Sequence, residues 1–267
     1  MPSADKRARK KENARAAREQ REAALKRSKR RRSTITFAAI GALFIGVIVV
    51  ISLVGGGKKK ADTTATTTPP TTVALPAGCI KTVPPKANPK TYKTAPPMTI
   101  DPTKTYAATF STSCGSFTAQ LDAKDSPKGV NNFVFLADNH FFDGLTWHRV
   151  VKDFVIQGGD PKGDGSGGPG YSVVTELPKN GYPLGTLAWA KTGTDPAGTA
   201  GSQFFVVTGS QTQALSQKVG GQYQYGAFGK VTTGIANAEK IMSLAPASGD
   251  GAPTVPMYIN KVTITKS

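Results

Sequence analysis

The chain has 267 residues and a formal net charge of +17, room for one ordinary domain with extensions or for two small ones. The charge divides unevenly: 14 Lys/Arg against 4 Asp/Glu over residues 1–32, none over 33–57, 7 against 2 over 58–103, and 13 against 11 over 104–267. The basicity thus belongs to a tail and a linker, which argues against a C-terminal domain built to track a phosphate backbone, while two cysteines and two histidines rule out a disulfide-dense scaffold and disfavour a multi-histidine metal centre.

Residues 1–32 mix Ala, Glu, Lys and Arg and read as a basic, solvated cytoplasmic tail; no aromatic residue or motif accompanies the charge, so no nucleic acid is expected as a partner. From Ser33 to Gly57 there are 25 consecutive uncharged residues, with an apolar run from Phe37 to Val54. A bilayer core needs about 20 such residues in a helix, so 33–57 is expected to be a single transmembrane helix. Arg18–Arg32 supplies eight Lys/Arg on one side against Lys58, Lys59 and Lys60 on the other, which places the N-terminus in the cytoplasm and the rest outside. A cleaved signal peptide would have a shorter basic region and an apolar core of about 7–15 residues, so an uncleaved anchor in the cell membrane is the better reading.

Residues 58–103 hold nine prolines, and Asp62–Thr72 has seven threonines, a composition that reads as an extended, extracytoplasmic Thr/Pro-rich linker. Cys79 falls in this linker and Cys114 in the next element. In an oxidising compartment a disulfide between them would pin linker to domain; two free thiols are the alternative.

After about Lys104 the pattern changes. Ala108, Phe110 and Thr112 alternate, Ser113–Ser116 turns, and Phe117, Ala119 and Leu121 alternate again, which predicts a hairpin. Ser126-Pro127 supplies a cap and a first-turn proline for a helix with Val130, Phe133, Val134 and Ala137 on one face. Short β-like runs with glycine-rich connections fill 145–231, a second helix fits Gly234–Leu244, and Met257–Thr265 closes as a strand. Few helices and many short strands predict a mainly β domain, a barrel with helical caps, over 104–267. Gly163–Gly168 formally matches GxGxxG, but Pro169-Gly170-Tyr171 reads as a turn before a strand rather than a helix, so nucleotide binding is rejected.

The most specific segment is Phe142–Asp160, FDGLTWHRVVKDFVIQGGD, followed by Gly163–Tyr171, by Gly201–Val206 (GSQFFV) and by Phe228–Val231. This string resembles the cyclophilin family of peptidyl-prolyl cis–trans isomerases over essentially all of 104–267, and the whole resembles a membrane-anchored, bacterial-type member. The resemblance implies an eight-stranded antiparallel barrel capped by two helices, with a proline-binding groove on its outer face. It places Arg149 on the catalytic arginine and Gln157 beside it. Phe154, Val155, Gln203, Phe205 and Leu215 fall on groove positions, Ala190 and Lys191 on a substrate-backbone segment, and Tyr225 where many relatives carry a histidine. Ala214 stands where many relatives have a bulky aromatic, which bears on cyclosporin binding more than on catalysis. Lys191 where asparagine is common, a long Thr192–Ala200 connection and an unusual Gly220–Tyr225 segment are expected to alter substrate range.

Rotation about an Xaa-Pro bond breaks no bond, so no cofactor and no metal is expected. The partners implied are proline-containing polypeptides and, through 33–57, the lipid bilayer. The implied activity is isomerisation of Xaa-Pro bonds in exported or cell-envelope proteins, with Arg149 stabilising the twisted amide. The rival is a non-catalytic proline-binding docking or chaperone module at the membrane surface.

Overall fold

The computed structural model describes residues 74–85 and 89–267. The expected tail, the expected transmembrane helix at 33–57 and the start of the expected linker lie outside the described residues. Among the described residues, no helix is long and apolar enough to cross a membrane.

The domain begins with the hairpin β1 (Tyr106–Thr112) and β2 (Gly115–Leu121), whose strands pair throughout their length. Alternation sends Ala108, Phe110, Phe117 and Ala119 into the core, each at most 1% exposed. Gly115 takes a φ of 95°, which disfavours any residue with a Cβ, and the Thr112 hydroxyl closes the turn by donating to the Gly115 carbonyl at 2.6 Å. Helix α1 (Pro127–Asp138) follows, burying Val130, Phe133, Val134 and Ala137.

Ser126 does not cap this helix as expected: its side chain accepts no bond from the first turn. Glu176 does so instead. Its Oε1 accepts from the Lys128 amide at 3.2 Å and its Oε2 from the Gly129 amide and the Ser126 hydroxyl, each at 3.3 Å. A carboxylate satisfies two orphan amides and favours the positive end of the helix, which one hydroxyl cannot match.

The other strands are β3 (Leu145–Thr146), β4 (Arg149–Val151), β5 (Val155–Gly158), β6 (Val173–Val174), β7 (Thr186–Trp189), β8 (Thr199–Ala200), β9 (Phe204–Val207), β10 (Ala227–Thr233), β11 (Asp250–Gly251) and β12 (Tyr258–Lys266), with helices α2 (Gln213–Ser216) and α3 (Ile235–Met242). Ten strands form one antiparallel sheet in the order β11-β4-β5-β9-β7-β10-β2-β1-β12-β3, and β6 pairs with β8. β3 lies at one end of that order and β4 next to the other, yet only Trp147 and His148 separate them in the chain. The sheet therefore curls until residues 145–151 bridge its two ends.

The expected count of eight strands and two helices needs correction, since twelve strands and three helices are present among the described residues. The run 145–151 is divided because Trp147 and His148 change partner from β12 to β5. β11 is a two-residue addition to the edge at β4, and β6 with β8 forms a separate two-stranded sheet. α2 spans one turn, too short to show a helical period.

The interior is aromatic. Phe110 stacks on Phe117 with centroids 4.6 Å apart, Trp189 stacks on Phe228 at 4.6 Å, and Phe133 lies 5.0 Å from both Phe142 and Phe228.

The proline-rich stretch before β1 lies along the domain where it is described. Cys79 and Cys114 are joined by a disulfide, and the Ile80 amide donates to the Ser113 carbonyl at 2.8 Å. The Tyr92 ring meets the edge of Phe135 at 4.9 Å. Asn131, 4% exposed on α1, accepts from the Thr99 and Ile100 amides and donates to the Pro97 carbonyl. Prolines leave a chain short of donors, and a buried asparagine supplies both partners it needs.

Candidate active site

β4, β5, β9 and β7 each carry two faces. Val150, Ile156, Phe204, Val206, Leu187 and Trp189 point into the interior and are fully buried. The alternate residues Val155, Ala188, Phe205 and Val207 form a second apolar cluster on the opposite face together with Leu215 and Tyr182 from outside these strands, and Val151, Phe154, Ala190 and Tyr225 pack against it. Register aligns this outer face into rungs. One runs Arg149, Gln157, Phe205, Ala188; the next runs Val151, Val155, Val207. A period of two in four short strands thus produces a strip polar at one end and apolar at the other.

At the polar end, Arg149 Nη1 donates to Gln157 Oε1 at 3.2 Å, and Gln157 Nε2 donates to Gln203 Oε1 at 3.0 Å. Gln203 Nε2 in turn donates to the carbonyls of Gly165 at 2.8 Å and Gly167 at 2.9 Å. The glycine-rich segment 163–168 therefore serves as an acceptor for this chain, and the strand β6 follows it rather than a helix. Asp160, 1% exposed, holds the same loop by accepting from the amides of Lys162 and Gly165. Arg149 also makes a two-pronged ion pair: Nε donates to Asp250 Oδ1 and Nη2 to Asp250 Oδ2, both at 2.7 Å.

At the apolar end, Val155, Phe205 and Leu215 are at most 5% exposed, and Phe154 lies on the turn between β4 and β5. That turn is locked to residues 208–211. Asp153 adopts a φ of 53° and its carboxylate accepts from the Ser210 amide and hydroxyl, both at 3.0 Å, bonds that hold its pKa below the usual aspartate value. Gly209 is required there, since a Cβ would sit 1.9 Å from the Asp153 carbonyl carbon. The lock sets where α2 starts, and so where Leu215 enters the cluster.

Tyr225 closes the far side, its ring edge-on to Phe205 at 5.5 Å. The Tyr182 hydroxyl donates to the Tyr225 carbonyl and accepts from its amide, at 2.8 and 3.0 Å. Burial raises the Tyr225 pKa, with the Arg149 charge opposing. Lys191 Nζ sits 5.7 Å from the Tyr225 centroid and donates to the carbonyls of Thr192 and Asp195, while burial lowers its pKa and Asp195 opposes. Ala190 donates its amide to the Gln203 carbonyl at 2.9 Å. Ala214 is exposed beside Leu215.

All ten residues singled out for this site, Arg149, Phe154, Val155, Gln157, Ala190, Lys191, Gln203, Phe205, Leu215 and Tyr225, thus lie on one face. Sequence reasoning missed Asp250 and Tyr182. Neither sits in a motif, and only the ladder β11–β4 and the fold of 182–225 bring them in.

His148 lies behind the polar end. Among the described residues neither ring nitrogen makes a hydrogen bond of ordinary geometry, and the adjacent Gln203 side chain is directed mainly at Gln157, Gly165 and Gly167. Burial lowers its pKa and Arg149 reinforces this, with Asp160, Asp164 and the Gln203 side chain opposing.

Comparison with known proteins places this arrangement. The family described as cyclophilin type peptidyl-prolyl cis-trans isomerase/CLD matches residues 107–264. A peptidyl-prolyl cis-trans isomerase of Synechococcus elongatus is 38% identical over 138 residues, covering 51% of this chain and 93% of the relative. Peptidyl-prolyl cis-trans isomerase B of Bacillus subtilis is 41% identical over 124 residues, covering 46% and 80%. Among solved structures, a Cryptosporidium parvum cyclophilin type peptidyl-prolyl cis-trans isomerase, crystallised in the presence of the dipeptide Ala-Pro, superposes with a TM-score of 0.52 at 27% identity, covering 60% of this chain and 99% of that one.

Proposed function

The chain belongs to the cyclophilin-type peptidyl-prolyl cis–trans isomerase family and is an enzyme of that activity, and from that premise we propose that it acts on Xaa-Pro bonds of exported or cell-envelope polypeptides through Arg149. The observation that carries the mechanism is the strip itself, an apolar cluster with a hydrogen-bonded guanidinium at one end. The relative taken with Ala-Pro supports a proline-containing peptide as ligand.

Amide resonance sets a barrier of about 18–20 kcal/mol to rotation about the C–N bond. Lowering it requires tighter binding of the twisted amide than of either planar form. In the twisted state the prolyl nitrogen turns pyramidal and regains a lone pair. Arg149 is permanently charged and donates in a fixed fork, so a hydrogen bond to that nitrogen opposes the return of resonance. Contacts of this kind contribute about 3–4 kcal/mol. Phe154, Val155, Phe205 and Leu215 hold the pyrrolidine ring. Gln157 and Gln203 hold flanking amides and keep Arg149 in place. Bond rotation transfers no proton, so His148 has no acid–base part to play.

Location outside the cytoplasm rests on the 25 uncharged residues at 33–57 and the excess of Lys/Arg before them. Protease added to intact cells should remove the C-terminal domain; protection would contradict the orientation.

Refolding of a protein limited by a slow prolyl step, which lasts about 10–100 s uncatalysed, tests the activity on a polypeptide. The full-length chain should shorten the slow phase in proportion to its concentration. A phase left unchanged while the chain binds the refolding protein would favour the docking module.

A further inference from the structure

Arg149 is held from two sides, by Gln157 across the β4–β5 ladder and by Asp250 from the opposite edge of β4. β11 is only two residues long, and pairing Asp250 with Val151 and Gly251 with Val150 brings the carboxylate alongside the guanidinium. The two 2.7 Å bonds from Nε and Nη2 run to separate carboxylate oxygens, the parallel fork that fixes the plane of the group as well as its position. With Nη1 bound to Gln157 Oε1, three hydrogen bonds to described residues hold the head group in one orientation.

We infer that Asp250 is a positioning residue for the isomerase reaction: its carboxylate orients the Arg149 guanidinium toward the prolyl nitrogen, and it does not touch the substrate. The inference rests on the reading of Arg149 given above. A long side chain of high rotamer entropy must present one donor to an atom that becomes an acceptor only in the twisted state. A misplacement of about 1 Å can cost on the order of 100-fold in rate. A carboxylate also offsets part of the guanidinium charge, which by itself would weaken the contact. The two side chains are 29% and 47% exposed, so water screens that offset and also weakens the fork, but the paired geometry of the two bonds still sets the plane of the group. Positioning outweighs attenuation.

A double-mutant cycle on the full-length chain tests this, read by cis–trans exchange of a proline peptide at several peptide concentrations. Asp250→Ala should lower kcat about 5–10-fold with KM within about twofold, a loss confined to the transition state. Asp250→Asn, which keeps one acceptor and the same shape, should fall between Ala and wild type; it also serves if the alanine variant loosens the β11 turn. In the Arg149→Ala background, Asp250→Ala should cost less than about a further twofold, since residues acting as one unit do not add. The Arg149 Nε–H proton should be slow to exchange in wild type and fast in Asp250→Ala, with Asp250→Asn between the two. Wild-type activity in both Asp250 variants, an increase in either, or additive losses with Arg149→Ala would overturn the assignment while leaving the Arg149 reading intact. Full activity of Arg149→Ala alone would overturn both.

Discussion

Arg149 and Gln157 stand directly opposite each other on β4 and β5, and the Arg149 guanidinium donates to the Gln157 side-chain oxygen across that pair at 3.2 Å. Register makes this contact. The strand pairing of β5 with β9 places Gln157 opposite Phe205, so the amide that holds the guanidinium sits beside the Phe205 ring. From Gln157 the bonds continue to Gln203 and end on the carbonyls of Gly165 and Gly167.

Cutting this chain at its middle should loosen Arg149 without emptying the pocket. Gln157→Leu is expected to lower kcat about tenfold, with peptide binding changed less than about threefold, because a hydrogen bond to a charged group contributes about 1.5–3 kcal/mol. Exchange spectroscopy over a range of peptide concentrations separates the two parameters. An equal rise in KM would mean that Gln157 chiefly binds the ground state.

The apolar end should respond in the opposite sense. Phe205 is 4% exposed and touches the Tyr225 edge, so Phe205→Leu removes a ring while leaving a strand-compatible apolar residue. KM is expected to rise about 3–10-fold from the lost apolar contact, and kcat to change less. Titration of a proline peptide by chemical-shift change measures the binding part alone. Unchanged affinity would remove Phe205 from the pocket.

The disulfide acts on stability rather than on chemistry. Cys79 and Cys114 are 35 residues apart, a loop whose closure contributes about 4 kcal/mol in the chain-entropy account. The paired Cys79→Ala and Cys114→Ala variant is expected to melt about 10 °C lower, with isomerase activity at 25 °C within about twofold. Scanning calorimetry reads this. An unshifted Tm would mean that Asn131 and Tyr92 hold the proline-rich segment without help.

His148 predicts how stability depends on pH. Burial sets its folded pKa below 6.5, so the unfolded chain binds the extra proton first. Its contribution is therefore fully present above pH 6.5 and is lost as pH falls through the folded value. Denaturant midpoints should decline from pH 6.5 toward 5, and His148→Asn should flatten that decline. A slope that survives the substitution would assign it to another group.

Most of the fold was legible because it is written in local periods. The alternation at Ala108–Leu121 became β1 and β2, the apolar face of Val130–Ala137 became α1, and Met257–Thr265 became β12 with both ends one residue later. Misses came from contacts with no local signature. Glu176 caps α1 from 48 residues beyond its second position, and Asp250 reaches Arg149 across 101 residues from a Ser-Gly-Asp-Gly turn. Composition read 58–103 as a linker, and the packing of its described part on the domain through Tyr92 and Asn131 is a contact that proline content does not report. The grouping of site residues was legible only through the motif block. Arg149 taken singly is one arginine on a three-residue strand.

The account stands most directly on cis–trans exchange of an Ala-Ala-Xaa-Pro-Phe peptide by NMR, with the full-length chain and its Arg149→Ala variant measured side by side. Wild type should accelerate exchange, and the variant should lose at least about 100-fold of that acceleration, the scale of one lost transition-state donor, while still binding the peptide. A variant that accelerates exchange as well as wild type would contradict the role assigned to Arg149.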